Sequence, residues 1–101
     1  MLTVTIGELV ETDGRATGQR VMTAELLTKA ASRMSDLQER VAYAAMRSWL
    51  PGGADKAPAK STLRAEVPKL KAAKTEAKAA GDWRDAAYYE VAAFCCEARA
   101  R

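Results

Sequence analysis

Two thiols stand side by side at Cys95 and Cys96, and they are the residues of this chain most able to do redox or metal chemistry. Neighbours on a helix point about 100° apart, a geometry that resists a mutual disulfide. The pair also lacks the two-residue gap of a zinc knuckle or a thioredoxin-type site, and the chain has no further cysteine and no histidine to complete a ligand set. Without histidine, Ser-His, Cys-His and His-metal arrangements are absent in any order. Asp82 with Asp85, and Asp36 with Glu39, are spaced as helix-start and surface charges, with no apolar cage to raise a pKa. Gly52-Gly53 runs into Ala-Asp rather than the GxxxxGK[ST] of a phosphate-cradling loop. The expectation is a chain with no catalytic, cofactor or metal site, and not an enzyme. Cys95 is expected to be a small core residue and Cys96 a thiol reachable from a second face.

Phosphate binding is the other chemistry available. Between Lys56 and Lys78, seven basic residues stand against Glu66 and Glu76, so that segment carries +5 of a total of +3 and the remainder carries −2. Lys69, Lys71, Lys74 and Lys78 are its candidate nucleic-acid contacts. Ala77 and Gly81 fit the small positions of a helix-turn-helix, but the following stretch, Asp82 to Glu97, has a net charge of −3 and would be repelled from a groove. No aromatic interrupts the basic run, so base stacking has no platform there. Weak, sequence-blind binding is the most this segment predicts; lysine on an Ala-rich helix also serves solubility alone.

The elements that must position these groups are mostly helical. A chain of 101 residues with 49% apolar content suits one domain, but much of that fraction is alanine. Leu2, Val4 and Ile6 alternate with Thr3 and Thr5, and Asp13-Gly14 suits a tight turn, predicting a short β-hairpin in residues 1–22; Thr5 with Glu8 alternatively suits the cap of a short helix over Leu9 and Val10. From Thr23, an N-cap candidate, Leu27, Ala30, Met34, Leu37, Val41, Ala44 and Ser48 form the seam of one long amphipathic helix over 23–50, stopped by Pro51-Gly52-Gly53. Residues 51–60 read as a linker. In 61–101, Ser61 or Thr62 caps a short turn, Pro68 opens a helix over 68–80, Gly81 ends it, and Asp82 caps a last helix over 82–99. The fold class is mainly all-α, a long amphipathic helix plus a C-terminal helical hairpin. Leu2 to Val10 is too short and Thr-rich for a signal segment, and no apolar run is long enough to span a membrane, so a cytoplasmic chain with reduced thiols is expected.

Two helices carry more apolar surface than one seam needs. On the last helix, Ala87, Tyr88, Val91, Phe94, Cys95 and Ala98 form one stripe and Ala86, Tyr89, Ala93, Cys96 and Ala100 another on the opposite side. On the long helix, Tyr43, Met46 and Leu50 lie opposite the main seam. Tyr43, Met46, Leu50, Tyr89, Ala93 and Cys96 are therefore the candidate protein interface, toward a partner or a second copy of the chain. The alternative is that the two surplus stripes pack within one protomer.

Gly81-Asp82-Trp83 followed by Ala86, Tyr89 and Ala93, with Leu70 on the preceding helix, resembles a single tetratricopeptide repeat over about residues 67–100. Lys74 and Glu90 depart from that pattern, at a position small and a position apolar in the family. The resemblance implies a helical hairpin of protein-binding type. Small Ala/Arg-rich chains also include many accessory and inhibitor proteins of phages and mobile elements. Two functions follow as expectations: a non-enzymatic protein-protein interaction module, alternatively a nonspecific nucleic-acid binder using segment 56–78.

Overall fold

The computed structural model describes residues 3–5, 21–53 and 56–101, and among them the fold is mainly helical: α1 (Ala24–Asp36), α2 (Arg40–Arg47), α3 (Lys60–Ala79) and α4 (Trp83–Ala100). Backbone segments β1 (Thr3–Thr5) and β2 (Val21–Thr23) lie antiparallel, Val4 opposite Met22. The Asp13-Gly14 turn, the remainder of the expected hairpin and the alternative Thr5/Glu8 cap fall outside the described residues. Among the described residues no helix is long and apolar enough to cross a membrane.

The long helix expected over 23–50 is in fact two. Gln38 takes φ 60°. Glu39 N–H donates to the Met34 carbonyl at 2.8 Å and Gln38 N–H to that of Ser35 at 3.0 Å, the paired bonds of a Schellman stop. Periodicity could not reveal this break, because three- and four-residue spacing resumes immediately on α2. What changes is phase: Leu27, Ala30 and Met34 are buried as expected, but beyond the break Ala42, Ala45 and Met46 are buried while Val41 and Ala44 are only partly covered. A left-handed conformation at a residue with a Cβ costs about 1–2 kcal/mol. Gln38→Gly is therefore expected to raise stability by about 0.5–1 kcal/mol, allowing for glycine's greater entropy when unfolded. A thermal melt reads this directly, and a lowered melting temperature would contradict the assigned stop.

The second correction concerns Pro68, which lies inside α3 rather than opening a helix. Proline removes the bond to the carbonyl four residues back and costs about 3 kcal/mol in a helix interior. Leu63 and Leu70, two turns apart on one face, are both fully buried, and two such side chains contribute about 3–6 kcal/mol. Arg64 and Pro68 both lie on exposed positions, where water can serve the orphaned carbonyl. Packing thus carries the helix through.

The hairpin turn follows the sequence closely. Gly81 has φ +80°, with Asp82 N–H on the Ala77 carbonyl at 2.8 Å and Gly81 N–H on that of Lys78 at 3.0 Å. The Asp82 carboxylate then accepts the Asp85 N–H at 3.1 Å, starting α4 as soon as α3 stops. Helix α4 packs most extensively on α3 and also against α1 and α2, which makes it the centre of the fold. Its far end is fastened to the end of α2. Arg99 donates from Nε to Ser48 Oγ at 3.0 Å and from Nη2 to the Ser48 carbonyl at 2.8 Å, with its guanidinium 4.0 Å from the Trp49 ring centre. Buried Ser48 in turn donates to the Ala45 carbonyl at 2.6 Å.

Candidate functional site

The six apolar residues expected at an interface separate into two groups. Met46 and Cys96 are 0% exposed, and Leu50 and Ala93 are also buried in the single core of the chain. Tyr89 packs partly buried against that core, and burial raises its hydroxyl pKa above the ordinary value. Within one chain four of these residues lie in the interior and Tyr89 lies partly so, because a central helix with three helical neighbours has cover for both of its stripes. Tyr43 stays exposed, at 37%. The second thiol is not reachable either: burial lifts Cys96 to about 12, with Glu66 and Glu97 adding to the shift, and pushes Cys95 higher still. Both are neutral thiols near pH 7 and poor nucleophiles.

The four lysines do not make one surface. Lys74 Nζ lies 2.7 Å from Glu90 Oε1 and Lys71 Nζ 3.5 Å from Glu97 Oε1, so acidic positions of α4 neutralise both. Lys74 and Glu90 are the two departures from the repeat pattern, and here they satisfy each other. Lys78 Nζ sits 6.0 Å from the Trp83 ring centre. Lys69 is exposed, but its position places it on the opposite side of α3 from Lys71 and Lys78.

A polar cleft of about 490 Å³ separates α1 from the start of α4. There the Arg33 fork grips Asp85 through two 2.9 Å bonds and holds its carboxyl below the ordinary range. Lys29 and Arg84 line the same cleft with Asp36 and Asp82, so charges of both signs balance there, and the hydroxyl-bearing residues Ser32 and Tyr88 line it without a histidine to act as base. Among the described residues no three potential metal-ligating side chains cluster.

The surface around Tyr43 is different in kind. No protein-family model, curated protein or solved structure matches the chain. Any contact site must therefore be read from geometry. A groove of about 290 Å³ lies between α2 and the loop after it, lined by Tyr43, Ala44, Arg47, Pro51, Gly52, Gly53 and Lys56. Glycine shapes it: Gly52 has φ +80°, and a Cβ at Gly53 would overlap the Arg47 carbonyl oxygen. Gly53 N–H donates to the Leu50 carbonyl and Lys56 N–H to that of Gly53, each at 3.0 Å, folding the loop back onto the end of α2.

Arg40, Arg47, Pro51 and Lys56 were not among the interface residues expected from sequence. A signal was present, since Arg40, Tyr43, Ala44 and Arg47 repeat at i, i+3, i+4 and i+7 and so share one helix face. Summing charge over long segments hid that local cluster.

Proposed function

We propose that this chain is a non-enzymatic protein-binding module whose contact surface is the Tyr43 face of α2 together with Pro51, Gly52, Gly53 and Lys56. The observation that carries this reading is the placement of Tyr43. It is one of two large apolar side chains left exposed among the described residues, and it lines a groove with Pro51 and flanking cations. Aromatic and arginine side chains at the edge of a preformed concavity are the usual anchors of protein interfaces. The other exposed ring, Trp83 at 66%, has Lys78 near its face. Burial of the two surplus stripes takes away the broad apolar area that a stable homodimer needs, which favours a segment of another protein over a second copy. The pairing of Lys71 and Lys74 with α4 carboxylates weighs against phosphate binding through segment 56–78.

A photoreactive benzoylphenylalanine in place of Tyr43, irradiated in lysate of the source cells, tests the reading. One protein adduct is expected, and it should disappear when Arg47→Glu is added. Adducts trapped instead by the same probe at Lys69, or crosslinks to nucleic acid, would contradict it.

A further inference from the structure

Resting on the protein-binding reading, we infer that the groove takes an acidic segment of its partner, which inserts an apolar side chain beside Tyr43 and sets carboxylates against Arg40, Arg47 and Lys56. The distribution of cation partners points there. Arg33 is held by Asp85, Lys29 by Glu25, Lys71 by Glu97 and Lys74 by Glu90, while Arg64 and Arg99 donate to main-chain carbonyls at Ala100 and Ser48. Arg40, Arg47 and Lys56 are exposed, and no described group forms an ion pair or hydrogen bond with their side chains. Lys60, Lys69, Arg84 and Arg101 likewise have no such partner among the described residues, but none of them lines the groove, whereas Arg47 and Lys56 do and Arg40 shares the α2 face of Arg47.

Arginine presents a planar fork matched to a carboxylate, so Arg40 and Arg47, two turns apart on one face, can each hold an acidic side chain. The cations would also speed encounter with a negatively charged segment. Tyr43, Ala44 and Pro51 give the groove apolar lining between the cations, so one apolar residue among the acids completes the match. Because Gly53 seats the loop directly on α2, the groove exists before binding and little order has to be gained on closure. Single-stranded nucleic acid would ask for successive stacking rings, and only Tyr43 is present in this groove.

A random peptide library selected on the immobilised full-length chain, with fluorescence anisotropy on the selected peptides, tests this. Enriched peptides should be net acidic with an aromatic or aliphatic residue. Arg40→Glu and Arg47→Glu should each weaken binding by about tenfold or more while leaving the melting temperature unchanged, and raising salt from about 50 to about 500 mM should weaken wild-type binding. Neutral or basic peptides that bind and depend on Tyr43 would overturn the acidic assignment and leave the protein-binding reading standing. No Tyr43-dependent peptide, or preferential binding of oligothymidylate through Arg40 and Arg47, would overturn both.

Discussion

Phe94→Ala should lower the free energy of unfolding by about 3–5 kcal/mol, the cost of deleting a buried ring and leaving a cavity that its neighbours only partly fill. Phe94 is almost fully buried and is the only phenylalanine in the chain. For a domain of this size such a loss is a large share of total stability, so the variant should be partly unfolded at physiological temperature. Tyr89→Ala should cost less, because that ring is only partly buried, but its loss should fall on the stability of the single chain. Urea titrations of both variants give the ranking. A Phe94→Ala loss below about 1 kcal/mol would contradict the central position assigned to α4.

Gly53→Ala is the second large effect. The added methyl would meet backbone, the Arg47 carbonyl, and backbone cannot swing aside as the end of a side chain can. Relief requires the loop to lift off α2, at about 1–3 kcal/mol. Gly52→Ala meets open space and pays only for the left-handed conformation, about 1–2 kcal/mol, without displacing the loop. The two variants should therefore differ in kind. Gly53→Ala should move the amide resonances of Tyr43, Ala44 and Arg47 and weaken peptide binding, whereas Gly52→Ala, which only adds a methyl to the groove wall, should lower the melting temperature and leave those α2 resonances in place. Unchanged amide resonances in Gly53→Ala would remove the glycine from the construction of the groove.

Features set by local chemistry were legible in the sequence. Gly81 supplies the left-handed stop and Asp82 the cap, and both were read from residue type and spacing, as were the helical character of the chain and the buried positions Leu27, Ala30 and Met34. Features decided by tertiary packing were not. Gln38 carries no composition signal for a left-handed turn, and Pro68 is tolerated in α3 because Leu63 and Leu70 hold the helix on either side. Amphipathic periodicity shows that α4 has two apolar stripes, but not whether one chain can cover both. That depends on the break at Gln38, which creates α2 as a separate neighbour of α4. The groove was hidden for a related reason: Tyr43 was grouped with Met46 and Leu50 on one stripe, and the fold buries those two while leaving Tyr43 at the edge beside Arg47 and Pro51.

Whether the surplus stripes lie inside one chain is tested most directly by reaction of the native wild type with Ellman's reagent across a range of protein concentrations. Cys95 and Cys96 are both buried, and burial keeps both thiols protonated. Neither should react until the chain opens, so both should be slowed by about a thousandfold or more relative to chain unfolded in guanidinium, identically in dilute and concentrated samples. Rapid modification of one thiol per chain in dilute native protein, with protection that grows as concentration rises, would instead put the Cys96 stripe between chains and contradict the single-chain core.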